Sequence, residues 1–196
     1  TVDPNGQSIV LNTGQSAHTY TVDVTYTLNM DTKQEKTKTL VRYADTQITA
    51  PSGGAQTYTS LDTSDVYSVR AIYDSGNTGV DAIPPKLVVS GQTGIFSAGE
   101  TITNAGGTAT GVVIVHSATT VAIVETTGTF AASDVITGSA NSYTATVDTY
   151  TAGDTDITSR FSLDTGQRDN FYDHGRIKLT GAAATGRIMV IYDYFT

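Results

Sequence analysis

The sequence predicts an all-β protein: an antiparallel β-sandwich, split in sequence, with an inserted small β-barrel or sandwich. Three observations predict this fold class. Threonine supplies roughly one residue in five of the 196, and valine and tyrosine are frequent, a composition that favours strands. Apolar and polar residues alternate in several segments, and a repeat with a period of 34 residues occupies the middle of the chain.

The N-terminal part contains the clearest alternation. Residues 20–30 are apolar at each even position, from Tyr20 to Met30, and polar at each odd one, which predicts a strand with one buried and one wet face. Asp31–Lys38 has no apolar residue at helical spacing and predicts a turn before a strand at Thr39–Tyr43. The Pro51-Ser-Gly-Gly segment predicts a loop.

A second strand and a boundary follow. Val66–Tyr73 is apolar or aromatic at most positions, and Asp74-Ser-Gly-Asn ends it with turn residues. Ile83-Pro84-Pro85 cannot continue a sheet ladder, because proline lacks the amide donor. We therefore expect a domain boundary there.

The repeat begins after this boundary and predicts an inserted module over residues 91–150. Each copy has Gly-x-Phe, an acidic residue, Ile-Thr, a turn and then a strand. That strand is predicted at Val112–Val115 in the first copy and at Thr144–Asp148 in the second. A single hairpin is marginal in water, whereas two copies can share a core. Seven positions of the first copy align with seven of the second: Gly94, Phe96, Glu100, Ile102, Thr103, Thr110 and Val113 with Gly128, Phe130, Asp134, Ile136, Thr137, Thr144 and Val147.

The C-terminal part predicts an irregular stretch at Ile157–Asp173 and strands at Arg176–Leu179 and Arg187–Phe195. The last strand is apolar on both faces, so it is expected to be buried on both and to join the N-terminal sheet. The resulting prediction is a discontinuous sandwich of residues 1–83 and 155–196 around the insert.

Composition excludes several classes of function. A formal net charge of −8 argues against a nucleic-acid partner, which would need clustered Lys and Arg. The absence of cysteine excludes thiolate catalysis and cysteine-ligated zinc. No run of about 18 apolar residues is present, so we expect no membrane partner.

Catalytic ingredients are few, and the sequence predicts neither an enzyme nor a cofactor. His18 and His116 have no acidic residue nearby in sequence, and no Gly-x-Ser-x-Gly motif is present. No metal site is expected either, because the carboxylates follow none of the familiar ligand spacings.

The densest polar stretch is Asp164-Thr-Gly-Gln-Arg-Asp-Asn-Phe-Tyr-Asp-His-Gly-Arg176. We interpret it as a structural brace in which arginines pair with aspartates and with loop carbonyls, while its two aromatic residues pin the loop. A contact with another chain and a metal site are the alternatives. The residues concerned are Asp164, Arg168, Asp169, Asp173, His174 and Arg176.

Glu100 and Asp134 occupy equivalent repeat positions just before a strand, so they are predicted to accept backbone hydrogen bonds in tight turns. Calcium binding by these acids, or by Asp154 and Asp156, is the alternative. Most tyrosines fall on alternating strand positions, where packing is the default interpretation.

The segment from Asp156 to Arg176, continued by Gly186-Arg-Ile-Met-Val-Ile-Tyr-Asp-Tyr-Phe195, resembles large structural virion proteins of tailed bacteriophages, in particular tail, baseplate and fibre proteins of cyanophages. Gly94-x-Phe96 and Gly-Glu-Thr-Ile-Thr103 are similar to short β modules inserted in such proteins. There the turn reads Ser-Gly-Ala-Thr more often than the Gly107-Thr-Ala-Thr110 of this chain.

This resemblance implies a structural role in the phage tail, as an assembly or spacer module that contacts other virion proteins and copies of itself. It implies an extracellular particle as location and no reaction. An adhesin module that binds a receptor or a host-surface glycan through exposed Tyr, Asp and Asn is the alternative function. A hydrolase acting on the host envelope is a third, which would require a cleft with paired acids.

Overall fold

The computed structural model describes residues 37–49, 57–168 and 171–196. The described chain is all-β and antiparallel, as the sequence predicts, and contains no α-helix. A single 3₁₀ turn lies at Thr158–Arg160. The strands are β1 (Leu40–Ile48), β2 (Tyr58–Ser60), β3 (Val66–Asp74), β4 (Lys86–Ser90), β5 (Thr101–Asn104), β6 (Thr110–His116), β7 (Thr120–Thr127), β8 (Val135–Gly138), β9 (Thr144–Thr151), β10 (Thr155–Asp156), β11 (Phe161–Asp164), β12 (Gln167–Arg168), β13 (Phe171–Tyr172), β14 (Arg176–Leu179) and β15 (Ile188–Phe195).

A four-stranded sheet has the order β1-β15-β3-β10. The last strand of the chain therefore lies between strands from the N-terminal half, as its sequence predicts. Ile188 and Val190 pack in one hydrophobic cluster, whereas Ile191 packs in another on the opposite face. The prediction that β15 is buried on both faces is confirmed, because each face of this sheet is covered by a different layer.

A three-stranded sheet, β11-β14-β2, covers one face. Ile177 of β14 is fully buried in the same cluster as Ile72 of β3 and Val190 of β15. Phe161 and Leu163 of β11 pack against this cluster while remaining half-buried. The two sheets thus share one core, and the half-buried residues of β11 lie at its edge.

The other face is covered by a closed barrel with the order β4-β7-β6-β5-β8-β9. The barrel has its own core, in which Phe96, Ile102, Phe130 and Ile136 are almost completely buried. Outside it, Ile114 of β6 and Val124 of β7 share a third cluster with the four-stranded sheet.

Backbone pairing in the barrel recurs at an offset of 34 residues. Thr103 of β5 lies opposite Thr137 of β8, its counterpart, so the β5–β8 pair relates the two segments by a local two-fold axis. Gly99 N donates to Val113 O at 2.8 Å, and Ser133 N donates to Val147 O at 2.7 Å. Both turns thus use the same backbone geometry.

Two sequence predictions are corrected. The strand predicted at Thr39–Tyr43 extends to Ile48, because its half-buried continuation pairs with β15 throughout. Ile157–Asp173 is not irregular: it contains β11, whose Phe161 and Leu163 face the core on alternate positions opposite β14. The short length of that strand hid its period.

Several predictions fall outside the described residues. They concern the strand at 20–30, residues 31–36 of the predicted turn, His18, Asp169 and the loop that begins at Pro51.

Candidate functional site

The predicted brace is the end of a β-hairpin formed by β11 and β14 and extended by β12 and β13. Gly166 sits at the kink between the two halves with φ +75°, and a Cβ there would lie 2.5 Å from the carbonyl oxygens of Asp173 and His174. Its N–H donates to Asp164 Oδ1 at 3.1 Å, and its carbonyl accepts from Asp173 N at 3.0 Å. The kink therefore requires glycine and an aspartate two residues before it.

Arg176 forms ion pairs with two aspartates of this hairpin. Its guanidinium nitrogens lie 3.5 Å from Asp164 Oδ2 and 3.6 Å from Asp173 Oδ2. It also stands over the ring of Tyr58, 5.5 Å from the ring centroid. These ion pairs are long and partly solvated, so together they stabilise the hairpin by about 1 kcal/mol or less.

Of the other predicted brace residues, the structure describes the side chain of His174, which lies outside this group. His174 faces Asp62, with 3.8 Å between Nδ1 and Oδ1, and both side chains are exposed. Arg168 lies in β12, but its side chain belongs to the part of the chain that is not described. Within the described residues, no cluster of three or more His, Asp or Glu side chains could hold a metal ion.

The two repeat acids accept the expected kind of bond. Glu100 Oε2 accepts from Ser97 N at 3.1 Å, and Asp134 Oδ2 accepts from Ala131 N at 2.9 Å. Each carboxylate closes a turn three residues before itself in sequence. This is a structural use of both side chains in the barrel turns.

The surroundings of the two acids differ. Asp134 Oδ2 also accepts from Asn104 Nδ2 at 3.2 Å. Glu100 is 6% exposed, and its Oε1 has no hydrogen-bond partner among the described residues. The counterpart of Asn104 near Glu100 is Gly138, whose missing side chain leaves room for the longer acid.

His116 belongs to the Glu100 side. Its Nδ1 accepts from Phe96 N at 2.8 Å, and its ring stacks on Phe96 with 5.1 Å between centroids. Burial lowers the pKa of the imidazole, and the charge of Glu100 opposes that shift in part. The sequence spacing shows no acid beside His116, but the fold places Glu100 close enough for its charge to act on the imidazole.

Sequence analysis missed a buried ion pair. Asp193 of β15 is fully buried and accepts from Arg70 Nη2 at 2.6 Å and Nε at 2.9 Å. Tyr43 N donates to its other oxygen at 3.0 Å. The hydrogen bond to Asp193 raises the pKa of Arg70, so the guanidinium remains protonated. A charged residue inside a strand predicted to be buried on both faces was the available signal.

Asp74, at the end of β3, was predicted only as a turn residue. Its carboxylate accepts from the N–H groups of Thr185 and Gly186, both at 2.8 Å, and from Gly76 N at 3.0 Å. Burial raises the pKa of this carboxyl, but the backbone donors outweigh burial and hold the pKa below its ordinary value. Asp74 thus ties the end of β3 to the turn before β15.

An apolar groove lies between β3 and β11, which we call the seam. Its volume is about 340 Å³. Within the described chain, no strand pairs with the outer edge of β3 from Val66 to Ala71, or with the outer edge of β11. The seam is lined by Tyr67, Ser68, Val69, Ile72, Thr158, Phe161, Ser162, Leu163 and Ile177.

A second hollow of about 300 Å³ adjoins the seam at Tyr67, whose side chain is 62% exposed. The Tyr67 ring stands edge-on to Phe195, with 5.9 Å between centroids. Asp65 joins the polar wall, where it accepts from Lys38 Nζ at 2.7 Å and from Gln167 Nε2. This wall offers hydrogen-bonding groups beside an exposed ring.

No protein-family model, curated protein or solved structure matches the chain. Across the described residues, no helix has the length and apolarity to cross a membrane.

Proposed function

We propose that this chain is a structural module of a tailed-bacteriophage particle, without catalytic activity, that contributes to tail, baseplate or fibre assembly. It acts through contacts with other virion proteins and with copies of itself. The sequence resemblance from Asp156 to Phe195 supplies the class of particle.

The seam is the observation that supports assembly. Val69, Phe161 and Leu163 are only half-buried there, although they pack against the buried residues of a hydrophobic core. Apolar side chains beside strand edges that no described strand pairs with are features of a surface that another chain covers. The polar groups described above are engaged in turns and ion pairs, which is a structural use of them.

Cross-linking of purified particles of the phage that encodes this chain tests the proposal. Lys38 pairs with Asp65, Lys178 lies in β14 of the hairpin, and Lys86, in β4, provides a reference on the barrel. We expect mass spectrometry to find cross-links from the first two lysines to other virion chains. Absence of the chain from purified particles, or cross-links confined to single chains, would reject the proposal.

The second hollow favours one alternative, binding of a host-surface glycan. An exposed tyrosine ring beside Asp65 and Gln167 combines an apolar face with hydrogen-bonding groups, which a sugar ring requires. Glycan-array binding that is lost in Gln167→Ala, while particle incorporation persists, would support this alternative. No binding above the level of an unrelated β protein would exclude it.

A further inference from the structure

A hydrogen bond between His116 and the backbone of Phe96 joins the end of β6 to the segment that links β4 and β5. We propose that this contact is an acid-sensitive latch: protonation of His116 releases Phe96 from the barrel core. Such a latch would regulate the conformation of the barrel whatever assembly the chain joins, so it does not depend on the proposed function.

Phe96 belongs to the barrel core although it lies outside the strands. Its side chain is 2% exposed and packs among the buried residues of the barrel. Gly99 N, farther along the same segment, donates to Val113 O at 2.8 Å. The backbone N–H of Phe96 donates instead to a side chain, His116 Nδ1, at 2.8 Å. The position of Phe96 therefore depends on a group that titrates.

This hydrogen bond fixes where the imidazole carries its proton. Nδ1 accepts from an N–H, so its lone pair is free and the proton of neutral His116 lies on Nε2. A second proton can bind only at Nδ1. The imidazolium has two donors and no acceptor, so Nδ1–H would then face the N–H of Phe96. Protonation of His116 and its hydrogen bond to Phe96 therefore exclude each other.

The imidazole lies on the inner face of the barrel wall. His116 stands opposite Val121, a fully buried residue of the core, and its ring stacks on Phe96 with 25° between the planes. Burial disfavours the charged ring and lowers the pKa of His116. The closed state thus binds a proton more weakly than an open state in which the ring reaches water. Acidification consequently favours the open state.

Glu100 provides a partner for the protonated ring. Its Oε2 accepts from Ser97 N, whereas its buried Oε1 has no hydrogen-bond partner among the described residues, and neither has the buried Nε2 of His116. A Cβ on Gly138 would meet Glu100 Oε1 and would lie 2.8 Å from Phe96 Cδ1. The carboxylate oxygen and the stacked imidazole therefore both lie close to the Phe96 ring. When that ring leaves, the imidazolium can donate to Oε1.

The charged surroundings of His116 are simple. Burial and the charge of Glu100 account for the shift in its pKa, and Glu100 favours the imidazolium. Tyr143, in the β8–β9 turn, lies against Gly94 of the same segment and is uncharged near neutral pH. The neighbouring strands β4, β7 and β9 also carry charged residues, which do not contribute to this shift: Lys86, Glu125 and Asp148.

Amide hydrogen exchange of the whole chain, followed by NMR and corrected for the intrinsic effect of pH, tests the latch. We expect protection of the Phe96 amide to fall about tenfold between about pH 7.5 and about pH 5.5. The reason is that an open-state imidazole with a pKa near 6.5 gains about a tenfold advantage in proton binding at the lower pH. Ser133 N, which donates to Val147 O at 2.7 Å in the other half of the barrel, is the control amide.

The matched variant is His116→Asn, because an asparagine Oδ1 can accept from the N–H of Phe96 and does not titrate. Protection of its Phe96 amide should not depend on pH in this range. The same pH dependence in His116→Asn as in the unmodified chain would overturn the inference. Equal losses of protection at Phe96 and Ser133 would also overturn it, because acid would then unfold the barrel as a whole.

Two further measurements remain decisive if His116→Asn does not fold. The ¹⁵N spectrum of the unmodified imidazole at about pH 7.5 should show the proton on Nε2, and a proton on Nδ1 would overturn the inference. Glu100→Gln should move the loss of Phe96 protection to lower pH, because it removes the charge that favours the imidazolium. An unchanged or higher midpoint would overturn the assignment of Glu100 as the partner in the open state.

Discussion

The two halves of the barrel share a backbone and differ in how they satisfy their buried polar groups. Near Asp134, the amide of Asn104 donates a second hydrogen bond to the carboxylate. Near Glu100, the equivalent strand position is Gly138, and Oε1 has no donor among the described residues. In the Asp134 half, a hydrogen bond from Asn104 holds the carboxylate. In the Glu100 half, the longer acid side chain fills the space that Gly138 leaves open.

The aromatic contacts differ in parallel. Phe96 stacks on His116, whereas its counterpart Phe130 meets Tyr150 at a tilt, with 6.0 Å between centroids. Histidine at this position adds a titratable group and an acceptor for Phe96 N–H. The comparison teaches that a repeated backbone turn tolerates different side-chain solutions when each acid retains its bond to the turn backbone.

The largest expected effect concerns the phenylalanine that each half places in the barrel core. Phe96→Ala and Phe130→Ala each remove a side chain that is 2% exposed from the barrel core, so each should lower the free energy of unfolding by about 3–5 kcal/mol. Urea unfolding of both variants measures this loss. If the losses of the two variants differ by more than about 2 kcal/mol, the two halves do not contribute equally to the core.

Asn104→Ala should destabilise the half of the barrel that contains Asp134. The side chain donates to Asp134 and Thr108 and accepts from the backbone N–H of Thr108 and Ala109. Its removal leaves the buried N–H of Ala109 without a partner and breaks three part-buried hydrogen bonds. We expect a loss of about 3 kcal/mol in unfolding free energy. Asn141→Ala, in an exposed turn, is the control, and an equal effect of both changes would contradict the assigned role.

Giving the Glu100 half the side chains of the Asp134 half tests whether the two halves are interchangeable. A side chain at Gly138 would collide with Glu100 and Phe96, so Gly138→Asn should cost about 2 kcal/mol by overpacking. The double variant Gly138→Asn with Glu100→Asp recreates the Asn–Asp pair of the other half and should recover at least half of that loss. A double variant less stable than Gly138→Asn alone would show that the halves are not interchangeable.

The smallest effect is a pH dependence confined to the His116 half. Because the folded pKa of His116 lies below its ordinary 6.5, the unfolded chain binds a proton that the folded chain resists as the pH falls. This contribution to stability is complete above about pH 6.5 and declines on acidification through the folded pKa.

His116→Tyr, which copies Tyr150 of the other half, should therefore lose less stability than the unmodified chain between about pH 8 and about pH 5.5. Denaturant unfolding of both chains at the two pH values gives the difference, in which the carboxylates common to both cancel. A larger acid loss in His116→Tyr would reverse the assigned sign.

Local patterns predicted much of this architecture because strand alternation is a local property. Val66–Tyr73 and Arg176–Leu179 were placed within one residue of β3 and β14, since turn residues mark their ends. Glu100 and Asp134 were recognised because a fixed offset of 34 residues put them at equivalent turn positions. β11 was missed because four residues are too few to display a period.

Side-chain partners that lie far apart in sequence were less predictable. Arg70 meets Asp193 across 123 residues. The charge of Glu100 acts on His116 because β5, which follows Glu100, pairs with β6, which ends at His116. In the predicted brace, Arg176 does lie beside Asp164 and Asp173, but His174 turns to Asp62 on another segment. No local spacing encodes that choice.

The sequence by itself determined the strands that have a clear pattern or turn residues at their ends, such as β3, β14 and β15, because period-two patterning and turn chemistry act within a few residues. Tertiary structure alone decided that six strands close into a barrel, that Asp193 is buried beside Arg70, and that β3 and β11 leave a seam between their edges. Those outcomes depend on which strands pair and in what register, and pairing is set by contacts between residues distant in the chain.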